Sequence, residues 1–245
     1  MIFKDPIKRK ESTMYSSRWI ASFLFVAVLL GPAAAHAELP WQFDQHTRYM
    51  ALGDSLAAGY GAVPATEGYV YLLYRSGVFD TAPNTLLTDA GVIGATSQQV
   101  LTYQVPQAIE AFHPTVITIT VGGNDLAEIL AGADPNVVLN TFQTNLTQIL
   151  QALRAGLPDA QIYINNLYTV PEIPGADQIV PVFNLIVAQV AGAFGVSVAD
   201  VYSAFLGKPG LLLIERHGAY QFEVHPTNAG YRVMEQAFAA VIKQP

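Results

Sequence analysis

The sequence contains no cysteine, so disulfides cannot hold the fold and a buried apolar core must. Basic residues are scarce too. The chain carries 12 Lys and Arg against 19 Asp and Glu, a formal charge of -7. From residue 38 onward the count is 7 basic against 17 acidic, and 7 − 17 = −10. That balance argues against nucleic acid or an anionic membrane as a partner. The histidines are scattered, with no metal-ligand spacing such as H-E-x-x-H, so no metal and no cofactor is expected. There is no internal repeat, no low-complexity tract and no break in composition that would mark a second folded domain.

Long apolar runs are also rare, and the exception lies at the start. A basic segment, "KDPIKRK" with Arg18, precedes the apolar run "WIASFLFVAVLL" (Trp19–Leu30), which is short for a bilayer span. The segment "GPAAAHA" follows, ending in Ala35-His36-Ala37, an A-x-A site. This order is that of a secretory signal peptide over residues 1–37, cleaved after Ala37, and it predicts a secreted or periplasmic protein. A retained N-terminal anchor is the rival reading. Residues 38–245 form the expected single domain, large enough to bury a core.

Within that domain, short runs rich in Val, Ile and Thr alternate with longer helical patterns. Strands are expected at Arg48–Leu52, Asn84–Asp89, Thr115–Val121, Gln161–Asn165 and Val196–Asp200. Helices are expected at Tyr69–Phe79, Ser97–Phe112 with an interruption near Pro106, Pro135–Ala155, Gln178–Phe194 and Asn228–Ile242. Asp134 and Pro135 suit the start of the third helix, and Gly156 suits its end. The pattern predicts an α/β fold, with about five parallel strands in one sheet and helices on both faces. Ligands in such sheets sit at the carboxyl ends of the strands.

Four polar or glycine-rich pieces fall just after strands or at a helix start. They are Gly53-Asp54-Ser55-Leu56, "DAGVIGATSQQ" with Gly91 and Gly94, "VGGND" with Asn124 and Asp125, and "VHPTNAGY" with His225. Each alone has a plain structural explanation. Ser55 suits a turn, Gly91-x-x-Gly94 suits a strand-to-helix connection, and Asn124 suits a helix cap. Strand order separates the histidines. His46 and His113 precede strands and belong to the opposite edge. His217 lies in a long loop that could reach the carboxyl edge. His225 is better held, because Pro226 restricts its backbone to extended geometry and a helix follows.

Taken together, in order and kind, these pieces resemble the blocks of the SGNH, or GDSL, hydrolases. "GDSLAAGYG" is similar to the nucleophile block, "GATSQQ" to the glycine block, "VGGND" to the Gly-x-Asn-Asp block and "HPTNAGY" to the histidine block. The resemblance covers nearly all of residues 38–245. It implies a flavodoxin-like three-layer sandwich and a serine esterase working through an acyl-enzyme. Ser55 would be the nucleophile and His225 the general base. The Gly94 N–H, the Asn124 side chain and the Ser55 N–H would form the oxyanion hole. This is not the G-x-S-x-G elbow of the α/β-hydrolases, since Ala57 holds the fifth position and the serine follows the first strand. One position departs from the pattern. The family commonly has an aspartate three residues before the histidine, where this chain has Phe222. Glu223, two before, is the substitute acid considered first, and Asp200 is the runner-up.

The implied substrate is a small-molecule, lipid or sugar ester. Short acyl esters, lysophospholipids, acyl thioesters and acetylated sugars all fit. Two alternatives stand beside hydrolysis. One is an acyltransferase or deacetylase acting on envelope sugars or lipids. The other is a non-catalytic binding protein on the same fold, suggested by the missing aspartate.

Overall fold

Strand β1 (Arg48–Gly53) shows why the sheet lies at the centre. Its side chains alternate, and both alternating sets are buried: Tyr49 and Ala51 join one apolar cluster, Met50 and Leu52 another. A strand buried on both faces belongs to the interior of a parallel α/β sheet. The computed structural model describes residues 46–79, 85–216 and 222–242, without the side chains of residues 215, 216, 222 and 223. Residues 1–37, expected from the sequence to be a signal peptide, and His217 lie outside the described residues.

The other strands of the main sheet are β2 (Leu86–Asp89), β3 (Val116–Thr120), β4 (Gln161–Asn165) and β5 (Ser197–Ala199). All pair in parallel, in the order β2-β1-β3-β4-β5. The helices are α1 (Tyr69–Ser76), α2 (Ser97–Gln99), α3 (Val105–Gln107), α4 (Gly123–Leu130), α5 (Pro135–Gly156), α6 (Ala176–Ala193), α7 (Val201–Phe205) and α8 (Asn228–Ala239). A small antiparallel pair, β6 (Glu215–Arg216) and β7 (Phe222–Glu223), precedes α8. On one face, Met50, Leu52, Ile117, Ile119, Ile162 and Ile164 pack with Phe142, Leu146, Ile149 and Phe183 from α5 and α6. On the other, Tyr49, Ala51, Tyr163 and Ala199 pack with Tyr69 and Leu73 of α1 and Tyr231, Met234 and Phe238 of α8. The result is three layers, as the sequence pattern predicts.

Differences from the expected elements have local causes. Residues 97–112 form one helical run, not two: π-helical stretches, Val100–Gln104 and Ala108–Phe112, flank α3 and carry the chain past Pro106. A π turn bonds i to i+5, so it absorbs an extra residue without ending the helix. Residues 123–130 form a helix that begins inside the glycine-asparagine piece, where the polar residues give no helical periodicity. The last strand ends at Ala199, because Asp200 turns the chain and caps α7, accepting from Ser203 N. Asp134 does cap α5, accepting from Asn136 N at 2.8 Å.

The strand order reverses between β1 and β3. The chain leaves β1 toward β2 on one side and returns through β3 on the other, which opens a crevice at the carboxyl ends of these two strands. Ser55 follows β1 and Asn124 follows β3.

Candidate active site

Asp54 builds the turn that carries Ser55. Its carboxylate accepts from Leu56 N at 3.0 Å and from Thr120 Oγ1 at 2.9 Å, and its own N–H donates to Thr120 O at 3.2 Å. An aspartate that bonds the backbone two residues ahead forms an Asx turn. Here the turn is also tied to the end of β3. Burial pushes the Asp54 carboxyl up to about 6, against the opposing effects of these hydrogen bonds and of attraction to His225. Ser55 itself is buried.

His225 arrives from the far end of the chain. Its Nε2 lies 2.6 Å from Ser55 Oγ, across 170 sequence positions. Three contacts hold its segment: Leu213 N donates to His225 O at 2.8 Å, Tyr168 Oη donates to Val224 O at 2.8 Å, and Thr227 caps α8 through Gly230 N. The ring of Tyr60 packs against the imidazole, with centroids 4.6 Å apart. Tyr60 O in turn accepts from Tyr231 Oη of α8 at 2.6 Å.

The two glycines of "GVIG" differ in what requires them. A Cβ on Gly91 would stand 2.4 Å from Ala58 N, so this glycine lets the loop lie against the nucleophile turn. Gly94 has φ +82 and open space where a Cβ would be. Asn124 does not cap α4. Its Nδ2 instead donates to Ala95 O at 2.9 Å, which ties it to the Gly94 loop. An amide nitrogen has two hydrogens, so one remains beyond that bond. Asp125 makes the same joint more rigid from inside. It accepts from Ser97 N at 3.0 Å and Ser97 Oγ at 2.5 Å, while Asn145 Nδ2 of α5 donates to Ser97 Oγ at 3.0 Å.

Of the two residues considered for orienting His225, Asp200 has its side chain described. Asp200 Oδ1 accepts from Asn166 Nδ2 at 2.8 Å and from Ser203 N at 3.1 Å, and these bonds hold its carboxyl below the usual range against burial, which raises it. Glu223 lies in β7, two residues from His225, with its side chain outside the described set. His113 stands immediately before Pro114 and β3, at the opposite edge of the sheet. Among the described residues, no three His, Asp or Glu side chains gather around one point.

Comparison with known proteins identifies the family. The sequence profile of the GDSL-like lipase/acylhydrolase family matches residues 51–233. The chain belongs to that family. It is 31% identical over 208 residues to the spore germination lipase LipC of Bacillus licheniformis, covering 79% of this chain and 95% of that one. Among solved structures it is similar to the lipase Lip_vut3 from a goat rumen metagenome, with TM-score 0.66 and 28% identity, covering 79% of this chain and 96% of that one. TesA shares the fold with TM-score 0.63 and 21% identity, covering 80% of this chain and 98% of that one. The family and these relatives make the protein a hydrolase of ester bonds.

Beside the crevice at the carboxyl ends of β1 and β3 of this GDSL-like hydrolase lies an apolar cavity of about 660 Å³. Gly123 at the head of α4 lines one end, with Leu126, Ala127 and Leu130 along that helix and Val180 of α6 opposite. Its size falls within the ordinary range for small-molecule sites. The sequence pointed to the loop Pro171–Asp177 as one that shapes a pocket but gave no form to it, because the walls come from α4, the 167–174 loop, α6 and Val224, which only folding brings together.

Proposed function

We propose that this protein is an exported esterase that cleaves carboxylic esters through an acyl-enzyme on Ser55. The observation that carries the reading is the 2.6 Å approach of His225 Nε2 to Ser55 Oγ at the carboxyl edge of the sheet. A serine hydroxyl is a weak nucleophile until a base takes its proton. Ser55 Oγ attacks the ester carbonyl carbon while its proton passes to His225 Nε2. The carbonyl oxygen becomes an oxyanion, facing Gly94 N–H, Ser55 N–H and the remaining Asn124 Nδ2 hydrogen. His225 then protonates the departing alcohol, leaving the acyl group on Ser55. Water reverses the sequence: His225 accepts its proton, the hydroxide adds to the acyl carbon, and Ser55 leaves with the proton returned. Donors fixed in place for the oxyanion are worth roughly 2.7–4 kcal/mol each by mutational precedent.

The apolar cavity supports an acyl chain as the part of the substrate that is buried, because Gly123 links its wall to Asn124. The basic segment, apolar run and A-x-A site support export, with the mature chain starting at Glu38. A fluorophosphonate probe followed by peptide mass spectrometry tests the mechanism. The label is expected on Ser55 of active protein and absent from Ser55→Ala. Ester hydrolysis with the label on another serine would overturn the assignment. N-terminal sequencing of protein from the medium or periplasm tests export, and a retained residue 1–37 segment on membrane-bound protein would replace it with an anchor.

A further inference from the structure

Gly53 is the last residue of β1 and stands two positions before Ser55. Its φ is +137, and a Cβ there would lie 2.0 Å from Thr120 O, so no side chain is admitted. The position therefore has only its peptide groups with which to be held. On the β3 side it is in register with Thr120. On the other side β2 has already ended, at Asp89 paired with Ala51. Past that point the loop after β2 supplies one bond, Val92 N donating to Gly53 O at 3.0 Å, and leaves the Gly53 N–H to a side chain.

Gln104 is that side chain. Gly53 N donates to Gln104 Oε1 at 2.6 Å, and Gln104 Nε2 donates to Gly53 O at 2.8 Å. The amide orientation follows from chemistry, since the Gly53 N–H needs an acceptor and its carbonyl a donor. The side chain thus stands in for a strand residue as acceptor of the Gly53 N–H, and adds a second donor to the carbonyl that Val92 N already bonds. It is buried among Val100, Val105 and Ala108, where an apolar residue would otherwise be expected. Burying an amide there is tolerable only because both its ends are satisfied. The π turn delivers it: Val105 N bonds Val100 O, an i to i+5 step, and the stretch Val100–Gln104 ends on this residue. Both Gln104 and Val105 consequently face inward. Such bulges recur at functional sites.

We propose that Gln104 is a positioning residue for Ser55. It clamps the Gly53 peptide as a surrogate strand partner and so fixes the 53–56 turn against β3, with Ser55 Oγ in reach of His225. The proposal rests on the reading of Ser55 as the nucleophile. It concerns no substrate contact, so loss of the clamp falls on the reactivity of Ser55 rather than on substrate affinity.

The test follows fluorophosphonate labelling rate and p-nitrophenyl ester turnover in wild type, Gln104→Leu and Gln104→Glu, at a temperature where each is folded by circular dichroism. Leu153→Ala, a core change in α5, controls for lost stability alone. In Gln104→Leu the labelling rate and kcat are expected to fall roughly tenfold or more, with KM little changed, since small misplacements of a reacting group carry large rate penalties. Gln104→Glu gives a second readout that simple destabilisation does not. A protonated carboxyl has a carbonyl acceptor and an O–H donor, as the amide does, whereas a carboxylate only accepts. The ratio of its labelling rate to that of wild type is therefore expected to rise as pH falls. Folded Gln104→Leu labelling as fast as wild type would overturn the proposal. If Gln104→Leu does not fold, a pH-independent ratio for Gln104→Glu overturns it instead. Wild type that hydrolyses esters without label on Ser55 is a distinct result, and removes the nucleophile reading on which the proposal stands.

Discussion

Asn124 Nδ2 and Ala95 O stand 2.9 Å apart, which joins the glycine loop after β2 to the helix after β3. The bond spends one amide hydrogen on positioning and fixes the direction of the other. Under the proposed mechanism that second hydrogen meets the oxyanion. Asn124→Ala is expected to lower kcat by about a hundredfold or more while KM changes little, because an oxyanion donor acts chiefly in the transition state. Steady-state kinetics with a soluble ester checks it, and a thermal melt separates lost catalysis from lost folding. A variant with normal kcat would leave Asn124 a structural tie alone.

The two carboxylates considered beside His225 predict different behaviour. Asp200 already accepts from Ser203 N as the cap of α7. Asp200→Asn preserves a good capping residue and is expected to leave kcat near wild type, while Asp200→Ala should lose about 1 kcal/mol of stability. Glu223→Gln is expected to lower kcat with KM little changed, as loss of a group that orients the base would do. If only Asp200→Asn lowers kcat, the assignment reverses; if neither does, His225 acts without either carboxylate.

Asp89 provides a stability test away from the nucleophile. Burial pushes its carboxyl up to about 6, against the bond from Gly91 N that lowers it. The folded pKa lies above the unfolded value near 3.8. The proton is therefore held more tightly in the folded state. The stability this group contributes is fully present below about pH 4 and is lost as pH rises through about 6. Asp89→Asn keeps an oxygen for Gly91 N but cannot ionise. Urea denaturation should find it more stable than wild type at pH 8, on the order of 3 kcal/mol at most for a carboxyl raised from 3.8 to about 6. Near pH 3 the two should be alike.

The apolar cavity makes a prediction about chain length. Ala127 lies on its wall in α4. Ala127→Phe is expected to raise KM and depress kcat/KM for long acyl esters, about tenfold or more, with acetyl and propionyl esters nearly unchanged. The estimate corresponds to excluding two or more methylenes at about 0.8 kcal/mol each. Equal losses for every chain length would place the acyl group elsewhere.

The main elements were legible because their signals are local. Strand alternation repeats every two residues and helical faces every 3.6. Asp134 and Pro135 mark the start of α5 within a few positions of chain. Gln161–Asn165 is a strand in both the pattern and the structure for the same reason. Helix α4 was not legible, since it opens on Gly123-Asn124-Asp125, residues that read as loop. The unbroken run 97–112 was not either, because a π turn around a proline leaves no periodic trace.

For the site, residue types and their order identify the family's blocks, and with them Ser55, Gly94, Asn124 and His225 as the residues to examine. Only the tertiary structure decided how they meet. Ser55 and His225 come together across 170 positions, Gln104 and Gly53 across 51, Ser97 and Asp125 across 28. Turn chemistry and propensity act over a few residues and cannot specify such pairs. The strand order β2-β1-β3-β4-β5 can, because it sets the ends of β1 and β3 side by side and stops β2 short, leaving the Gly53 N–H to a buried glutamine.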